Sequence, residues 1–162
     1  MNYQNQIIRL TDETVEGLFR TVRAMPADKL EWKPLDAGRS ALDQLQECAQ
    51  SAGWTTGMVQ ARAMPPMDAA QMGALMETMG AERKAWTTID ACEAVCREKL
   101  AEFYAVVRDF PDEDLDLEII LPFGGGMKKT MADLMVIPYW NMTYHCGQIN
   151  FIQTLYGDKD SH

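Results

Sequence analysis

Asn141-Met142-Thr143-Tyr144-His145-Cys146-Gly147-Gln148-Ile149-Asn150-Phe151-Ile152 is the stretch on which the fold turns. With Leu134 and Ile137 upstream, the residues Asn141, His145, Gln148 and Ile152 follow one another at steps of three or four. An α-helix turns once in about 3.6 residues, so these side chains share one face. The spacing predicts a helix from about Thr130 to Tyr156, ended by Gly157. Pro138 inside it removes one backbone N–H and is expected to kink it. The middle of the stripe is polar where a core-facing helix would carry Leu or Ile. A buried polar group without a partner costs about 1–3 kcal/mol, so the patch is either a satisfied network or a site.

Upstream, three more helical signals appear. Ile7, Leu10, Thr14, Leu18, Val22 and Met25 mark a first helix over Tyr3 to Ala24, closed by Pro26. Residues 26–39 read as a connector in which Asp28 caps a short turn and Trp32 and Leu35 anchor the loop to the core. Ser40 followed by Asp43 resembles a capping box and opens a second helix, Ala41 to about Ala63, with Leu42, Leu45, Ala49, Gly53 and Gly57 facing inward. Residues 64–82 hold five Met, read as core filling in a loop with a short helix. A third long helix is expected from Ala81 to Asp109, with Trp86, Ile89, Cys92, Cys96, Leu100, Phe103 and Val107 on one side.

Leu117 to Leu121 is a β-like run before Gly124-Gly125-Gly126, consistent with a small hairpin or an irregular crossover. The triple glycine lacks the GxxxxGK[ST] spacing of a phosphate-binding loop. Four long helices with one long crossover before the last give a mostly α fold, a four-helix bundle. The expectation is one domain over residues 1–158 with a tail at 159–162. Such bundles place ligand and metal sites between facing helices.

The 162 residues suit one domain, and 47% hydrophobic content is enough to bury a core. A net charge of −9 repels a nucleic-acid backbone and an anionic membrane surface alike. No apolar run approaches the roughly 18 residues of a spanning helix, and residues 1–6 show no secretory pattern. The expected setting is the cytoplasm, with Cys48, Cys92, Cys96 and Cys146 reduced.

His145 is one of two histidines in the chain, and a lone histidine is either hydrogen-bonded structure or a ligand. Glu47 on the second helix is either an exposed surface acid or a partner of Asn141 and His145 across the bundle, since Glu is rarely buried unpaired. Cys146 follows His145 directly, so the two point about 100° apart and do not share a direction.

The sequence from Asn141 to Asp158 resembles the last helix of the DinB-like superfamily, in which a His-x-x-x-His pair is followed by Gly-Gln-Ile and a closing Gly-Asp. The connector Leu30-Glu-Trp-Lys-Pro-Leu-Asp-Ala-Gly-Arg-Ser40 is similar to the family's entry into helix two. There the family carries Ser-x-x-Glu-x-Leu-x-His, and this chain has Ser40-Ala-Leu-Asp43-Gln-Leu45-Gln-Glu47. The resemblance spans the chain in order and length. It implies a four-helix bundle, often a homodimer, in which three histidines hold a divalent metal such as Zn or Ni. Some members are thiol-dependent transferases or hydrolases using bacillithiol or mycothiol. Here Glu47 and Asn141 stand where two of those histidines belong, and only His145 matches. The implied set is Glu47, Asn141 and His145 as ligands of a divalent metal (Zn, Ni or Mn), with Tyr144 and Gln148 in the substrate pocket. Two readings follow. One is a small-molecule-binding bundle with a degenerate, non-catalytic metal site. The other is a metal-dependent thiol transferase or hydrolase. Asn is a neutral oxygen donor and a weak Zn ligand, which favours the first.

Overall fold

A computed structural model describes residues 2–122 and 125–162; Gly124 of the glycine run lies outside the described residues. Five helices and one hairpin follow in the order α1 (Tyr3–Arg23), α2 (Ala41–Ala61), α3 (Ala69–Lys84), α4 (Ile89–Arg108), β1 (Glu118–Leu121), β2 (Met127–Thr130) and α5 (Met131–Leu155). Short 3₁₀ turns at Ala27–Lys29 and Asp112–Asp114 bridge the connectors. α1 and α2 each pack against both α4 and α5, which closes a four-helix bundle.

Each long helix begins where a side chain takes up an unpaired backbone N–H. Asn2, Ser40, Thr88 and Thr130 accept from the backbone nitrogens of Asn5, Asp43, Ala91 and Asp133. At Ser40 only half of the expected capping box forms, because the Asp43 carboxylate is taken by Arg39. The complete boxes are Asp68–Gln71 at α3 and Thr130–Asp133 at α5.

The expected third helix is in fact two. The break lies at 85–88, where Thr88 is extended and caps α4, and where the Trp86 carbonyl accepts from Gln46 Nε2 at 2.9 Å. A tertiary bond thus takes a carbonyl that a continuous helix would have used. α3 is longer than the expected short helix because its capping box starts it at Ala69. No described residue of α3 is buried. The methionines of 64–82 lie outside the buried core: Met64, packed against its edge, and Met67, Met72 and Met79 are half-buried, and Met76 is exposed.

The core runs along Ile7, Val15, Leu18 and Val22 of α1, Leu45, Ala49, Ala52 and Val59 of α2, Cys92, Cys96, Leu100 and Phe103 of α4, and Leu134, Met142, Ile149 and Ile152 of α5. The α1 face is turned slightly from the expected one, with Thr11 and Val15 buried and Leu10 and Thr14 at its edge. On α2, Gly57 is exposed and Gly53 half-buried, while Cys48, Ala52 and Thr55 take the inner positions. Trp32 packs edge-on against Tyr156 at 6.2 Å, whereas Leu35 is 75% exposed and anchors nothing.

The crossover carries an antiparallel hairpin with Glu118 opposite Thr130 and Leu121 opposite Met127. Ile119 and Leu121 face the core while Ile120 faces out, the period-two alternation of a strand. Backbone bonds from Met131 to Leu117 and from Ala132 to Leu115 tie it to the start of α5. Among the described residues no helix is long and apolar enough to cross a membrane.

Candidate functional site

α2 presents Gln44 and Glu47 one turn apart, and α5 presents Asn141, His145 and Gln148 on the facing stripe. His145 is 2% exposed, and both its ring nitrogens meet oxygen. Nε2 lies 3.1 Å from Glu47 Oε1, and Nδ1 lies 2.8 Å from Gln148 Oε1 and 3.2 Å from Gln44 Oε1. Asn141 donates through Nδ2 to the same Glu47 Oε1 at 3.3 Å. Glu47, Asn141 and His145 therefore sit together between α2 and α5, bridged by the carboxylate.

The other Glu47 oxygen faces two cations. Oε2 is 2.8 Å from Arg39 Nη2 and 3.7 Å from Arg83 Nη1. Arg39 is positioned from the residue before the Ser40 cap and is braced by Asp43. Arg83 reaches in from the end of α3, whose hold on α2 includes Gln50 Nε2 donating to the Met79 carbonyl and to Glu82. The hydrogen bond from His145 holds the Glu47 carboxyl down at about 2, with the His145 and Arg39 charges adding to it and burial opposing. Glu47 is thus a carboxylate across the physiological range. Asn141 Oδ1 is buried without a hydrogen-bond partner among the described residues.

Tyr144 and Gln148 do not share a pocket with Glu47 and Asn141. Glu47 and Asn141 line a cavity of about 330 Å³ walled by Trp54, Met76, Met79 and Ile137. Tyr144 and Gln148 line a second, open cleft of about 520 Å³ with Arg39, Gln44 and Phe151. The network around His145 is the partition between them. Tyr144 stacks on Trp140 at 5.6 Å and meets the His145 ring edge-on at 5.2 Å.

Sequence reasoning missed Arg39, Arg83 and Gln44. Gln44 was legible in principle, because it precedes Glu47 by three residues on one helix and so shares its face. Arg39 lay in the connector motif, read only for its likeness. Arg83 had no local signal, since its placement depends on where α3 stops. Three of the four cysteines are poor nucleophiles: burial pushes the Cys96 thiol up to about 12 and Cys92 to about 11, and Cys48 is also raised. Among the described residues no group of three or more His, Cys, Asp or Glu is gathered as a metal-ligand set.

No protein-family model matches the sequence, and no curated relative does either. Solved structures do match in fold. The chain is similar to YfiT from Bacillus subtilis, described as a probable metal-dependent hydrolase with an unusual four-helix bundle topology, at TM-score 0.73 and 16% identity, covering 95% of this chain and 87% of that one. It is similar to the DinB-like protein YjoA from the same organism at TM-score 0.62 and 15% identity, over 95% and 94% of the two chains. It also resembles a mycothiol-dependent maleylpyruvate isomerase at TM-score 0.62 and 8% identity, over 92% of this chain and 63% of that chain. The colibactin self-resistance protein ClbS, solved with double-stranded DNA, matches at TM-score 0.65 and 14% identity, over 93% and 94%. The fold shared with these solved structures is a four-helix bundle.

Proposed function

We propose that this chain is a small-molecule-binding bundle of the DinB-like fold in which the metal position holds a metal-free, non-catalytic polar network. One observation carries the reading: both Glu47 oxygens are already engaged, Oε1 by His145 and Asn141 and Oε2 by Arg39 and Arg83. Two guanidinium groups beside a single carboxylate repel a divalent cation. Asn141 turns its amide nitrogen, not its oxygen, toward that carboxylate. As arranged, Glu47, Asn141 and His145 do not fit a resident Zn, Ni or Mn. The cavity beside Glu47, walled by Trp54, Met76 and Met79, has the apolar lining and few polar groups of a ligand pocket.

The test is thermal unfolding of chelator-treated protein with and without micromolar Mn, Ni or Zn. The expected result is no shift with metal and a lower melting temperature for Glu47→Ala, which leaves His145 and two arginines without their carboxylate. A rise with metal that disappears in Glu47→Ala overturns the proposal.

A second reading is favoured by the unpartnered Asn141 Oδ1 and by the descriptions of YfiT and the isomerase. In it Glu47, Asn141 and His145 hold a divalent metal that lowers the pKa of a bound thiol or water in a transferase or hydrolase. The same melting experiment separates the two.

The proposal includes a homodimer in the cytoplasm. Met127 of the hairpin and Trp140 of α5 are both exposed and line one cavity, an apolar surface that a second copy would cover. Sedimentation at micromolar concentration giving only an 18.3 kDa species removes the dimer. The DNA contact described for ClbS is not carried over, because a charge of −9 opposes it.

A further inference from the structure

His145 also organises the side of the network that faces away from Glu47. Its Nδ1 lies within hydrogen-bond distance of the carboxamide oxygens of both Gln148 and Gln44. Oxygen and nitrogen sit on opposite arms of a planar amide, so fixing each oxygen on the ring turns each NH₂ away from it. Both glutamines line the 520 Å³ cleft. Gln44 is only 3% exposed, yet neither Nε2 finds an acceptor among the described residues. Arg39 stands at the same cleft with Nε and Nη2 committed to Asp43 and Glu47, and Nη1 has no acceptor among the described residues. No carboxylate is among the described residues that line the cleft. Its polar end is therefore a set of N–H donors awaiting an acceptor.

The apolar end has a definite shape. Tyr144 and Phe151 are two turns apart on one face of α5, about 10 Å along the axis. Gly147 lies between them, and a Cβ built there would meet nothing within 4 Å. The glycine leaves an open floor between two half-exposed rings. The Tyr144 ring is held in place by Trp140 and His145, so this wall is ordered before a ligand arrives.

We propose that this cleft binds an aromatic carboxylate, its carboxylate accepting from Gln44, Gln148 and Arg39 and its ring lying over Gly147 between Tyr144 and Phe151. The inference rests on the reading of the chain as a small-molecule-binding bundle and adds the ligand class. It does not depend on whether Glu47 meets a metal.

Isothermal titration with 2-naphthoate as the probe tests it on the full chain. The expected result is saturable binding that falls at least about tenfold in Gly147→Leu, which fills the floor, and in Gln148→Glu, which sets like charge against the carboxylate. Gly147→Leu keeps the fold, because an exposed helical glycine is replaced by a better helix former, and an undiminished melting temperature verifies this. 2-Naphthylmethylammonium and cyclohexanecarboxylate are expected to bind at least about tenfold more weakly, one lacking the acceptor and the other the ring. Absence of saturable binding, equal binding in Gly147→Leu, or preference for the ammonium overturns the proposal. Binding kept in Gly147→Leu but lost in Ser51→Leu, a substitution in the wall of the 330 Å³ cavity, places the ligand beside Glu47 instead, which overturns this cleft while leaving the small-molecule reading intact.

Discussion

Arg39 Nη2 lies 2.8 Å from Glu47 Oε2, so a guanidinium from the connector meets the carboxylate of α2. The guanidinium supplies positive charge and a directed hydrogen bond to a carboxylate whose other oxygen is held by His145. With Arg83 beside it, the Glu47 side chain is compensated by the protein itself. Glu47 on α2 and Arg39 eight residues earlier thus form one charge pair, joined through space.

This carboxylate makes stability depend on acid. Its folded value of about 2 lies below the ordinary 4.5, so its contribution is fully present above about pH 4.5 and is lost as pH falls toward 2. Wild type is expected to exceed Glu47→Gln by about 1–2 kcal/mol near neutrality, a modest figure because the side chain is one-third exposed. Denaturant melts at a series of pH values should show the two proteins converging between pH 4.5 and 2. A constant gap across that window contradicts the ion-pair account.

Metal affinity should be recoverable by reversing the charge logic. Arg39→Ala with Asn141→His removes a guanidinium and creates two imidazoles one helical turn apart, opposite Glu47. The double variant is expected to gain a Zn- or Ni-dependent rise in melting temperature, corresponding to about 2.7 kcal/mol at a hundredfold excess over Kd. Asn141→His alone, with Arg39 retained, should gain less. Equal gains would show that Arg39 does not oppose the ion.

The cysteines should separate by accessibility. Cys48, Cys92 and Cys96 are buried in the core and their thiols are pushed up by that burial, while Cys146 is half-buried on α5. Ellman titration of the native protein at pH 8 is expected to label Cys146 first, with the others following only on unfolding. Rapid labelling of more than one thiol would mean that the α2–α4 interface opens readily.

Two glycines should respond to alanine with opposite signs. Gly57 is exposed within α2 with nothing near its missing Cβ, so Gly57→Ala is expected to stabilise by about 0.5–1 kcal/mol. Gly157 follows α5 with φ of 99°, a conformation that disfavours a side chain, so Gly157→Ala should destabilise by about 1 kcal/mol. Melting curves of the two variants read both directions at once.

What the sequence determined by itself was local. Helical spacing located α1, α2 and α5 to within a few residues, and the β-like run before the glycines became β1, because periodicity and caps act over neighbouring residues. The polar stripe of Asn141, His145 and Gln148 was legible for the same reason, since a polar residue on an apolar face stands out in the chain, whereas Glu47 read equally as a surface acid until its resemblance to a ligand position singled it out. Tertiary structure decided the rest. The break between α3 and α4 depends on Gln46 reaching the Trp86 carbonyl from another helix, and no spacing announces it. The division of Tyr144 and Gln148 from Glu47 and Asn141 into two cavities depends on which way the His145 ring faces. The choice of cation beside Glu47 fell to Arg39 and Arg83, brought in by a connector and by the end of α3. A charge–charge contact depends on distance through space, and only the packed bundle sets that distance.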